Sequence, residues 1–232
     1  MQLETDTSLT KYRTGPQALF RTWVLVLVCA FFLMQTADAA SSYPDDEVTR
    51  MQSGEILLKT IHSEQSGGAA RVSAVFHTDV DSIWNIIGYC KYEFVYVRGL
   101  ESCGVLVPGL TLTRKRQRVK SHWYVPAIEF TFEARRTSST HGEFRLVEGD
   151  LKVMEGQWDF QPVTDGGSVM VTHEIRIQPK LPAPRWLVRR VLSKDLPDMM
   201  ACIRGLAQAS GDDVLIAEDI ERCPGDPSQI TE

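Results

Sequence analysis

Among the side chains able to do chemistry, the histidines are few: His62, His77, His122, His141 and His173. No two of them share one element at metal-ligand spacing, and His-Glu-x-x-His is absent, so nothing in the sequence points to a metal site. The serines offer no Gly-x-Ser-x-Gly elbow, and there is neither a P-loop nor a dinucleotide fingerprint. Hydrolytic, nucleotide-dependent and hydride-transfer chemistry therefore have no motif to rest on. No catalytic residue, metal or cofactor is assigned. One histidine stands apart. In the alternating run Val169, Val171, His173, Ile175, Ile177, it takes an inward place in an aliphatic row. It is either a core histidine bonded to a neighbour, the commoner fate of a buried polar group, or a polar anchor for a ligand's carbonyl or hydroxyl. Acid–base work by His173 would need a second convergent group.

The elements that must position this residue are legible from periodicity. From Met154, the residues Gly156, Trp158 and Phe160 fall on one face while Glu155, Gln157, Asp159 and Gln161 fall on the other, the signature of a half-buried strand. The turn Asp165-Gly166-Gly167 joins it to the His173 strand. Further strand-like runs cover 54–61, 70–77, 100–107, 110–120, 122–136 and 142–148, punctuated by Pro108-Gly109, Ser138-Ser139 and Gly149-Asp150. Ser66-Gly67-Gly68 is either a hairpin turn or a bulge in one long strand. Short turns between consecutive strands imply an antiparallel meander. Asp79 is a suitable N-cap for a short helix with Ile83, Trp84, Ile86 and Ile87 on its apolar face. An aromatic loop, 89–97, follows it. After Pro179, Pro182 and Pro184, an amphipathic segment runs to Gln208, with either a kink at Pro197 or a short helix passing into a longer one that starts near Asp195.

The start of the 232-residue chain is read as a signal peptide, 1–39. Lys11, Arg13 and Arg21 precede an apolar run from Trp23 to Met34, shorter than the roughly 20 residues of a spanning helix. Ala37-Asp38-Ala39 then offers a small-x-small cleavage site, the alternative being a short hydrophobic anchor that is never cut. Cleavage after Ala39 predicts an exported, periplasmic or secreted protein with a polar lead-in, 40–53, one domain, 54–210, and an acidic, partly flexible tail, 211–232. Net charge is −5, concentrated in that tail, where Asp212, Asp213, Glu218, Asp219, Glu221, Asp226 and Glu232 face Arg222 alone. Such a chain is no general nucleic-acid binder.

Four cysteines remain after cleavage. Cys90 and Cys103 flank a short segment leaving a helix and entering a strand, which favours a disulfide between them. Cys202 reads as a buried free thiol, with a bridge to Cys223 as the alternative.

The strand-to-helix entry Ala74-Val75-Phe76-His77-Thr78-Asp79-Val80-Asp81-Ser82-Ile83-Trp84, the pattern Gly-x-Leu-Lys-x-Met-x-Gly-x-Trp-x-Phe over 149–160, and the helix containing Leu196-Pro197 carry a family resemblance. Over about 72–206 the chain resembles the START-like helix-grip superfamily, in the branch of coenzyme Q-binding and polyketide cyclase/dehydrase-like proteins. The resemblance implies an α+β fold, a curved antiparallel β-sheet wrapped around a long C-terminal α-helix, with an apolar cavity between them. It also implies a lipid, quinone or similar hydrophobic small molecule as ligand, carried without chemistry. A cyclase- or dehydratase-like activity using His173 is the alternative. Tyr96, Trp123, Met199 and Ile203, near the open end of the grip, are expected to touch ligand, together with Phe130, Phe132 and His173. Most of the aromatics are otherwise simply core.

The run Arg114-Lys115-Arg116-Gln117-Arg118-Val119-Lys120 puts Arg114, Arg116, Arg118 and Lys120 on one face. A solvated outer face is the plain explanation. Contact with anionic membrane head groups is the functional one, at about 1 kcal/mol per basic residue.

Overall fold

The computed structural model describes residues 43–61, 67–120, 126–163, 167–180, 185–209 and 214–225. The signal segment 1–39 lies outside them. In chain order the elements are α1 (Asp45–Gln52), β1 (Leu57–Ile61), β2 (Gly68–Phe76), α2 (Val80–Gly88), α3 (Cys90–Tyr96), β3 (Leu100–Val107) and β4 (Leu112–Val119). Then follow β5 (Ile128–Arg136), β6 (His141–Gly149), β7 (Leu151–Pro162), β8 (Val169–Pro179), α4 (Arg185–Arg190), a π-helical segment (Val191–Asp195), α5 (Leu196–Gln208) and α6 (Val214–Glu221).

All eight strands form one antiparallel sheet in the order β1-β2-β8-β7-β6-β5-β4-β3. The meander β3 to β8 runs in sequence order, and β2 closes on β8, as the short turns require. This is the expected α+β helix-grip, with the sheet curved about the C-terminal helix. At the β6–β7 turn, Gly149 holds φ at +124°, a conformation that glycine alone adopts without strain. Gly156 serves close packing instead: a Cβ there would lie 2.5 Å from the Phe144 ring and 2.1 Å from the Glu174 carbonyl. Asp79 caps α2 as expected, its carboxylate accepting from the Ser82 N–H at 2.8 Å.

The main core joins β2, β8, α2 and α5 through Phe76, Ile83, Val171, Met200 and Ile203. Of the two forms expected around Pro197, the structure has the short helix passing into a longer one: α4 runs through the π turn 191–195 into α5, which starts at Leu196. Proline has no N–H to continue the ladder, and the wider turn absorbs the mismatch.

Four sequence expectations change. Residues 89–97 are not an open loop, because Cys90–Tyr96 is helical and Val95 and Tyr96 are buried. The polar lead-in contains α1, whose Met51 packs with Leu57, Val75 and Met170 on the sheet's other face. Cys202 is not a free thiol but is bonded to Cys223. Finally, the tail, expected to be acidic and partly flexible, contains the helix α6 docked on α5. On α6, Asp219 is 4% exposed and accepts two bonds from Arg204, at 2.6 and 2.9 Å. A buried guanidinium demands such a partner.

Candidate functional site

Between the sheet and the C-terminal helix lies a cavity of about 1110 Å³. Its floor is the inner face of β4 to β8 and its roof is formed by Val188, Val191, Leu192, Leu196 and Met199. Alternation along each strand directs the floor side chains inward. Phe130 and Phe132 on β5, Phe144 on β6 and His173 on β8 make a row of four rings, with successive centroids 6.2, 6.5 and 5.6 Å apart, and Trp158 on β7 extends it. Trp158 and His173, directly paired across the strands, stack at 3.9 Å with 19° between their planes. Gly156 leaves the space that the Phe144 ring occupies.

His173 is buried, and desolvation pulls its pKa down to about 4, so the ring is neutral near pH 7. Its Nδ1 lies 3.1 Å from the Gln157 carbonyl oxygen. A carbonyl only accepts, so Nδ1 carries the proton and Nε2 is left as the acceptor. A hydroxyl or N–H of a bound molecule is what such an atom can receive. His173 is thus both a core histidine bonded to its neighbour and a cavity wall.

A second polar group lies on the opposite side of the cavity and was not foreseen. Glu93 on α3 is 4% exposed, and its two oxygens accept from Lys115 Nζ and Gln117 Nε2, each at 2.5 Å. Lys115 and Gln117 are the inward partners of the outward arginines on β4, so the alternation that marks the arginines marks them too. What the sequence hides is their partner, Glu93, two elements away. Nearby Tyr96 donates to the Ile87 carbonyl at 3.3 Å, and burial, reinforced by the Glu93 charge, pushes its phenol well above its ordinary pKa. Cys90 and Cys103 are bonded to each other beside Glu93. Their sulfurs and the Glu93 carboxylate fall within 4.8 Å, yet two sulfurs joined to each other are not thiolates that could hold a metal.

His173 on β8 and Lys115 on β4 stand four strands apart, roughly 19 Å along the sheet at the usual strand spacing. They do not converge on one atom. The arrangement can hold an elongated apolar molecule with a hydrogen-bonding group near either end, rather than move a proton between two residues at one carbon.

Of the residues expected to touch ligand, Tyr96, Phe130, Phe132, His173 and Met199 line this cavity. Ile203 does not: one turn beyond Met199, it is fully buried in the solid core among Phe76, Ile83 and Met200. Trp123 lies outside the described residues. On the outer face, the arginines of β4 have acidic company: Arg114 with Glu133 at 2.9 Å, Arg116 with Glu148 at 3.4 Å, and Arg118 with Glu101 at 2.8 Å.

A family model described as "Polyketide cyclase / dehydrase and lipid transport" matches residues 70–204. No curated protein matches the chain in sequence. Among solved structures, the fold is similar to the STAR-related lipid transfer protein from Xanthomonas axonopodis, with a TM-score of 0.56 at 14% identity over 66% of this chain and 93% of that one. It is also similar to the human StarD13 (DLC2) lipid transfer and protein localization domain, with a TM-score of 0.52 at 14% identity over 72% of this chain and 99% of that one. At these identities the likeness speaks to fold.

Proposed function

Because this chain belongs to the polyketide cyclase/dehydrase and lipid transport family, we propose that it binds and carries a small hydrophobic molecule in the cavity between sheet and C-terminal helix. A lipid or polyprenyl quinone has the right character. The observation that carries this reading is the cavity itself: about 1110 Å³, above the usual 300–1,000 Å³ of small-molecule sites, and walled chiefly by aromatic and aliphatic side chains. Polar groups are few and separated, which favours orientation of a long ligand over chemistry at one centre. Two disulfides, Cys90–Cys103 and Cys202–Cys223, are cross-links that persist in oxidising compartments, and with the apolar run at 23–34 they support export.

The test is native mass spectrometry and organic extraction of the purified protein, followed by titration with a fluorescent fatty acyl probe. A hydrophobic adduct, or saturable probe binding that Met154→Trp abolishes by filling the cavity, is the expected result. A protein that carries nothing and binds no probe would refute the carrier reading. Cleavage after Ala39 is checked by the N-terminal sequence of the exported form.

A second reading, a cyclase- or dehydratase-like enzyme, is favoured by one feature: a neutral imidazole whose acceptor nitrogen is available to a cavity-bound molecule. Turnover of a hydrophobic polyketone lost in His173→Phe would support it.

A further inference from the structure

The β3–β4 hairpin ends in residues that an edge strand rarely shows to water. Every residue from Gly104 to Thr111 is exposed, and none from Gly104 to Thr113 is charged. Val105, Leu106 and Val107 are 47, 46 and 41% exposed, and Leu110 reaches 95%. Because β3 is the last strand of the sheet, its open backbone edge would ordinarily be blunted by charge or covered. The pairing puts apolar side chains on both faces: Val105 pairs with inward Lys115, Val107 with outward Arg114. A flat protein partner would cover one face, whereas a medium that surrounds the tip covers both.

Two more observations say what that medium is. Val105, Pro108, Gly109 and Leu110 are also lining residues of the cavity, together with exposed Tyr89, so the tip stands at its rim. Behind the apolar stretch the first charged outward side chains are basic: Arg114, and Arg135, which pairs opposite Leu112. With Arg145 they crowd a single carboxylate, Glu133, at 2.9, 3.7 and 3.6 Å. Of the other acids there, Glu143 opposite Arg135 lies 3.4 Å from His141, and Glu155 opposite Arg145 is held by Arg176 at 2.8 Å. Guanidinium groups are thus in excess at the level where anionic head groups would meet them.

We propose that the β3–β4 tip docks into the surface of an anionic lipid bilayer, with Val105, Leu106, Val107 and Leu110 entering the acyl boundary and Arg114 and Arg135 among the head groups. This narrows membrane contact from the whole arginine face of β4 to its end at the hairpin, where Arg114 lies. Docking opens the cavity rim toward the bilayer, so an apolar ligand passes between them without crossing water.

Flotation of the mature protein with vesicles of phosphatidylcholine and phosphatidylglycerol tests it. The wild type floats, and less so on phosphatidylcholine alone. The double variant Leu106→Glu/Leu110→Glu loses vesicle binding by about tenfold or more while circular dichroism and thermal melting stay unchanged, since both side chains are exposed when folded. In Leu110→Trp, tryptophan emission shifts to the blue on adding the mixed vesicles. Met154→Trp, which fills the cavity, still floats, so docking and ligand carriage fail separately. Equal flotation of wild type and the double variant would overturn the proposal, as would absence of flotation. A dimer that the double variant abolishes, without vesicle binding, would assign the edge to a second copy of the chain instead.

Discussion

Two histidines give this protein opposite responses to pH. Burial lowers His173 to about 4 from an ordinary 6.5, so its neutral form is favoured by folding. That contribution is fully present above pH 6.5 and fades as pH falls toward 4, a loss of about 3 kcal/mol from this group. His141 behaves inversely. Its hydrogen bond to Asp159, at 2.5 Å, raises its pKa above 6.5, so its contribution is complete below 6.5 and is lost as pH rises through the folded value. Urea unfolding across pH 4 to 9 is expected to show a maximum near pH 6.5 from this pair. His173→Phe should flatten the acid side, and Asp159→Asn the alkaline side. In the cavity, His173→Phe also removes the acceptor side chain that β8 contributes to the lining, weakening binding of a hydroxyl-bearing ligand by about fivefold, a typical hydrogen bond's worth, as read by probe competition.

At the scale of elements, buried ion pairs hold helices in place, against the sheet or against each other. Lys115 and Glu93 fix α3 against β4 with side chains 3% and 5% exposed. Lys115→Met leaves a buried carboxylate without its cation and should cost about 3–5 kcal/mol in denaturant melts, while Glu93→Leu/Lys115→Met should recover much of that loss. Asp219→Ala should cost a similar amount, because Arg204, which also donates to the Gly54 carbonyl at 3.0 Å, loses its carboxylate. The strands were legible in the sequence because glycine and proline punctuate them and their faces alternate. The short helix α3 was not, since seven residues, four of them aromatic or cysteine on either side of Lys91 and Glu93, carry no helical period of their own. Helix α6 was hidden by its charge: acids read as solvated unless their partner is known, and Arg204 comes from another helix. The site divided likewise. His173 could be placed by strand alternation, whereas the end of the cavity between Met199 and Ile203 depends on how far the sheet curves, which no local pattern records.

For the whole molecule, the two disulfides close segments 13 and 21 residues long, and each should contribute about 3 kcal/mol by restricting the unfolded chain. Reduction is expected to lower the melting temperature, and the variants Cys90→Ser/Cys103→Ser and Cys202→Ser/Cys223→Ser should divide that loss between them. The cross-links lie on different parts of the molecule. Cys90–Cys103 joins the start of α3 to β3, the strand whose far end forms the exposed tip, whereas Cys202–Cys223 ties α5 to the end of α6. The first pair should therefore affect the cavity mouth more than the second, measured as hydrogen exchange along 100–119.

The stacked rings of Trp158 and His173 also make the cavity its own optical instrument. An indole lying 3.9 Å from an imidazole is quenched when that imidazole gains a proton, so emission should titrate with a midpoint near pH 4. A molecule seated over the same rings would shift that midpoint, and the protein would announce its own occupancy in light.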